Sequence, residues 1–110
     1  MVTVTIEEDS QGRLSSFVAT GHAGWADKGN DVVCAAVSAL LQAAWLGLTE
    51  VAKVKVDGAR SEGELRLRWP EEVRDRADVK AIVETAQRSI ETIALQYPDH
   101  VQTERGHQST

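Results

Sequence analysis

Hydrophobic and polar residues change period along this chain, and the changes divide it into elements. Val2, Val4 and Ile6 alternate with Thr3, Thr5 and Glu7, the period-two pattern of a half-buried strand. Asp9, Ser10, Gln11 and Gly12 supply turn chemistry, and a second strand over Arg13–Ala19 pairs with the first as a hairpin. From Asp31 to about Leu48 the chain is apolar nearly all round, with Val33, Val37, Leu40, Leu41, Ala44, Trp45 and Leu48 as its large or central members. That is the pattern of a helix covered on several sides. Ala52, Val54 and Val56 alternate with Lys53, Lys55 and Asp57 and predict a third strand, followed by a turn at Asp57-Gly58. Leu65, Leu67 and Trp69 predict a fourth strand, which Pro70 ends.

Glu71–Gln96 reads as one long helix, beginning at Glu71 or nearer Asp75 or Asp78. Its stripe of Val79, Ile82, Val83, Ala86, Ile90, Ile93 and Tyr97 recurs at steps of three and four. Pro98 stops it. A short last strand around Val101 is compatible with the pattern, and residues 105–110 read as a flexible C-terminal tail. The expectation is an α+β fold in one small domain over residues 1–104. It has a four-to-five-stranded, mostly antiparallel sheet with two helices, in the order ββαββα(β).

Composition narrows the function. A chain of 110 residues has room for one ordinary core. Its formal charge of −5 disfavours general nucleic-acid binding, which needs a basic face to displace counterions, and suits a basic protein or peptide as partner. Val32–Thr49 carries no charged side chain, yet its alanines, Ser38 and Gln42 make it weakly apolar for a ~30 Å bilayer core; a buried helix is expected, not a membrane span. The start MVTVTIEED has the acids and alternation of a strand, not of a signal peptide. One cysteine forms no internal disulfide, so a reducing cytoplasm is the natural compartment.

The chemistry concentrates between Gly21 and Leu40. Asp31 is the natural helix N-cap, which makes Cys34 the third residue of the helix, where the dipole favours a thiolate. His22 lies in the loop entering that helix, and the glycines Gly24 and Gly29 make that loop pliable. A helix-start cysteine with an imidazole in reach is the arrangement of a cysteine nucleophile. Taken singly, each residue has a plainer reading: Cys34 as a small buried hydrophobe, His22 as a loop histidine bonded to backbone. Asp31 is either the cap alone or also orients His22. Ser38, one turn after Cys34, either hydrogen-bonds near the sulfur or back-bonds to the carbonyl of Cys34. Trp25 either covers the site and meets a substrate side chain or packs against the domain, whereas Trp45 and Trp69 read as core. His100 and His107 lie far along the chain and no CxxC or HxxxH spacing occurs, so neither a metal nor another cofactor is expected.

The stretch Gly21-His22-Ala23, then Gly29-Asn30-Asp31, then Val32-Val33-Cys34-Ala35-Ala36-Val37-Ser38 resembles the signature of the ribosomal-processing cysteine protease family, known as Prp or YsxB-like. The spacing fits without gaps, and length and element order fit the whole family domain. The resemblance implies a Cys34–His22 pair in a bacterial, cytoplasmic enzyme that commonly dimerises. It also implies a substrate, the N-terminal extension of a large-subunit ribosomal protein. Two rival readings remain at this stage: an acidic, non-enzymatic module for a basic ribosomal or assembly protein, and a redox-sensing thiol that needs a partner molecule.

Overall fold

A computed structural model describes residues 1–21 and 31–107, with the backbone alone for Asp31. The elements are β1 (Val2–Glu8), β2 (Leu14–Thr20), α1 (Asp31–Leu46), β3 (Asp57–Ser61), β4 (Glu64–Arg68), α2 (Ala77–Gln96) and β5 (Val101–His107). The five strands form one sheet in the order β3-β4-β2-β1-β5. Three of its pairings are antiparallel, and β5 runs parallel to β1. The α+β expectation holds, with the optional last strand present.

Alternation along the strands gives the sheet one apolar face. Val2, Val4 and Ile6 of β1, Phe17 and Ala19 of β2, and Leu65 and Leu67 of β4 are buried there. Val37, Leu41, Ala44 and Leu48 of the first helical stretch join them in one core cluster, with Val79, Val83, Ala86 and Ile90 of α2. Phe17 and Trp69 meet edge-to-face at 5.2 Å, a geometry that adds about 0.5–1.5 kcal/mol to simple area burial. The indole N–H of Trp69 donates to the Leu14 carbonyl at 2.9 Å, so this core tryptophan is satisfied. Trp45 is half-buried; its ring lies against Gly58, where an added Cβ would sit 2.2 Å from a ring carbon.

Three expectations change. The third strand is not Ala52–Val56 but Asp57–Ser61, so Asp57-Gly58 is strand and the turn is Glu62-Gly63. Ala52 and Val54 are indeed buried, which accounts for their alternation. Their amides, however, fold back onto the helix, donating to the carbonyls of Gly47 and Leu48, and Lys53 between them has φ +57°. A strand does not pass through that conformation. The second helix starts at Ala77, after a single 3₁₀ turn at Glu71–Val73, which bears out the later of the expected starts near Asp78; the change is that Tyr97 falls outside it and is exposed. The tail expected from Arg105 is strand as far as His107, because Arg105, Gly106 and His107 pair with Ile6, Glu7 and Glu8. The Arg105 guanidinium reaches Glu91 at 3.5 Å and Glu8 at 3.8 Å. Residues 108–110 of that tail lie outside the described residues.

α1 covers the sheet with one face and leaves the other open. Val33, Cys34, Val37, Leu41 and Ala44 are buried, whereas Val32, Ala35, Ala39, Ala43 and Leu46 are exposed. By length and composition Val32–Val51 is apolar enough to cross a membrane; in this fold its inner face packs on the sheet.

The turn between β1 and β2 is tied to the segment before α2 by buried charge. Asp9 accepts from the amides of Gln11 and Arg13, from the Arg13 guanidinium and from the buried Arg74, which also donates twice to the Trp69 carbonyl. Burial by itself would raise the Asp9 carboxyl, but these hydrogen bonds outweigh it and hold the group well below the usual carboxylate range. A depressed folded-state value contributes stability that is complete above the unfolded value, near 3.9, and lost as pH falls below it. Asp9→Asn keeps the amide contacts and removes the charge opposite Arg74. It should lower Tm at neutral pH by on the order of 10 °C. In denaturant titrations it should also flatten the loss of stability below about pH 4.

Candidate active site

The site is built where β2 ends and α1 begins. At Gly21 the chain turns with φ +98°, and its amide donates to the Gly63 carbonyl at 3.1 Å. A Cβ here would stand 2.2 Å from the Met1 carbonyl oxygen, a backbone atom that cannot swing away. Nearby, the Val2 amide donates to the His100 carbonyl at 2.8 Å. The starts of β1 and β5, the end of β2 and the β3–β4 turn therefore meet at one end of the sheet, and α1 begins just downstream in sequence.

The helix begins at Asp31 as expected, which puts Cys34 in its first turn. At that position the helix N-terminus favours the thiolate over the thiol. Cys34 is the chain's one cysteine and is only 4 % exposed, within the core cluster. Ser38, 7 % exposed, follows one turn later on the same face. Its oxygen accepts the side-chain amide of Gln42 at 2.8 Å. This contact stands beside the two expectations for Ser38, a bond near the sulfur and a back-bond to the Cys34 carbonyl. The sequence signal for Gln42 is its place four residues after Ser38, on the same helix face.

His22, Gly24, Trp25 and Gly29, and the side chain of Asp31, lie outside the described residues. The two remaining histidines sit at β5: His100 just before it and His107 at its last position, paired with Glu8. Among the described residues no three His, Cys, Asp or Glu side chains converge as a metal site.

A small mixed sheet under two helices, with the chain's sole cysteine in the first turn of α1, is a fold shared with known proteins. The sequence profile of the family described as "Cysteine protease Prp" matches residues 1–102. The chain thus belongs to the Prp family and is a cysteine protease. The ribosomal processing cysteine protease Prp of Bacillus subtilis is 31% identical over 105 residues, 92% of this chain and 94% of the relative. A Streptococcus mutans crystal structure superposes with a TM-score of 0.86 at 27% identity, covering 98% of this chain and 96% of that one. The Staphylococcus aureus ribosomal processing protease Prp in complex with a substrate peptide has a TM-score of 0.85 at 23% identity, covering 96% and 99%.

The steric limit at Gly21 yields a direct test. Gly21→Ala must displace either the Met1 backbone or the departure of the chain from β2. It should lower Tm and reduce peptide cleavage by on the order of 100-fold, the scale on which a displacement of about 1 Å near a site acts. A melting curve and a peptide assay on the same preparation check both.

Proposed function

We propose that this protease removes the N-terminal extension of a large-subunit ribosomal protein during bacterial ribosome assembly, in the cytoplasm, by attack of the Cys34 thiolate. The observation that carries the reading is the first-turn position of Cys34 in a chain that matches the protease family from residue 1 to 102. The naming of the Bacillus subtilis relative as a ribosomal processing protease supports the substrate class.

In this mechanism His22 takes the proton of Cys34, or pairs with its thiolate, and the sulfur adds to the scissile carbonyl. Amides at the start of α1 hold the oxyanion, donors of the kind worth roughly 3 kcal/mol in other proteases. The imidazolium then protonates the leaving amine, and water hydrolyses the thioester to free the new carboxylate and restore Cys34. Asp31 fixes the helix start, Ser38 supports the sulfur from the next turn, and Gly24, Trp25 and Gly29 belong to the loop that admits the peptide. No cofactor enters any step.

The enzyme acts as a homodimer in this reading. The exposed residues Val32, Ala35, Ala39, Ala43 and Leu46 recur along α1 at the three-and-four spacing of a helix–helix seam. Small residues in the middle allow close approach, and between Val32 and Thr49 no charge opposes contact of two acidic chains. A second copy related by a two-fold axis covers the stripe with its own α1.

Two measurements test these statements. Incubated with the extended ribosomal protein, the wild type should produce a new N-terminus detectable by mass spectrometry. Cys34→Ala should stay folded and leave the substrate intact; cleavage by that variant at the wild-type rate refutes the mechanism. Light scattering after size exclusion should give a dimer at micromolar concentration, and Leu46→Glu a monomer. A monomeric wild type refutes the dimer.

A further inference from the structure

Five hydroxyl side chains lie on the helical segments between Asp31 and Gln96, and four behave alike. Thr49, Thr85, Ser89 and Thr92 each donate to the carbonyl four residues earlier, at 2.8, 2.6, 2.7 and 2.8 Å. This is the ordinary resting place of a helical hydroxyl proton. Ser38 is the exception: its oxygen accepts from Gln42 Nε2. It is also the one of the five that is buried, and the one a single turn beyond Cys34.

An amide N–H can only donate, and a hydroxyl that accepts it still has one proton to place. We propose that Gln42 is a positioning residue that, by donating to Ser38 Oγ, turns the hydroxyl proton toward the first turn of α1, where it stabilises the Cys34 thiolate. The proposal rests on the reading of Cys34 as the nucleophile. A thiolate accepts such a bond better than a thiol, so the pair favours the reactive form.

Between Val32 and Thr49, α1 has no ionisable group besides Cys34. The buried core cluster that includes Cys34 draws on both helices and on β1, β2, β4 and β5, and its members among the described residues carry no charge. The α2 acid nearest that helix's end, Glu91, faces Arg105. In sequence, the motif itself contributes His22, Asp27, Lys28 and Asp31.

The test is the pH profile of iodoacetamide alkylation on the folded protein. Gln42→Glu replaces the donor with an acceptor and draws the Ser38 proton away from the sulfur. Its alkylation midpoint should rise by roughly half to one pH unit, and Gln42→Leu should rise less. The same Glu substitution in a Ser38→Ala background separates the relay from the added charge, because only the relay needs the hydroxyl. A shift that largely disappears in that background supports the proposal. An equal shift in both backgrounds, or none in either, overturns it while the nucleophile reading stands. A wild-type thiol that resists alkylation until denatured overturns both.

Discussion

The architecture of the site depends on a place where no side chain fits. Residue 21 turns into the left-handed region directly against the Met1 carbonyl, so only a hydrogen can occupy its Cβ position. The consequence is geometric. Because β1 is hydrogen-bonded to β2 on one side and β5 on the other, displacing Met1 strains both pairings at once. The Gly21 amide is meanwhile held by Gly63 of the β3–β4 turn. The path out of β2 is therefore fixed by three other segments before the chain reaches His22. A loop positioned by a rigid scaffold is the usual way to hold reactive groups in register.

The opposite end of the same hairpin is secured differently. There Asp9 gathers two amides and two guanidinium groups, and Arg13 extends the network outward to Asp75 at 2.8 Å and Glu71 at 3.3 Å. The outer pairs are solvent-exposed and contribute little. The inner pair is buried, so each partner depends on the other to offset its lost hydration. One end of the sheet is thus closed by compensated charge, while at the site end the described residues close it by close backbone approach and hydrogen bonds.

Where sequence and structure agree, periodicity reported burial directly. β1, β2, β4 and the stripe of α2 each present one apolar face, and their alternation or three-four spacing is that face. Periodicity misplaces β3 because its own residues, Asp57 to Ser61, carry no apolar alternation, while the connection before it does. The pattern at Ala52, Val54 and Val56 is burial without a ladder, and periodicity cannot tell the two apart. Periodicity cuts β5 short for the reverse reason. Glu104 to His107 is polar, and only the pairing with β1 makes it a strand. At the site, the motif located Cys34 and the helix start. The Ser38–Gln42 contact was not legible, because either direction of a serine hydrogen bond suits the same sequence.

Among the effects that act on Cys34, burial and the helix start oppose one another. Burial at 4 % exposure in an apolar cluster pushes a thiol up, away from its reactive form. The helix start pulls the other way, by about 0.3–1 kcal/mol at exposed sites and up to ~2 kcal/mol where partly buried. At 1.36 kcal/mol per pH unit, the larger figure moves a thiol by only about 1.5 units. Full desolvation acts over several units, so the dipole alone leaves a buried cysteine protonated near neutrality. A protease built this way needs a cation brought to the sulfur. An imidazolium serves, because it pairs with the thiolate and carries the proton that the leaving amine must receive. In the proposed mechanism the histidine of the entering loop is therefore not an accessory to an already acidic cysteine but the condition for its acidity, which would tie catalysis to the path fixed at residue 21.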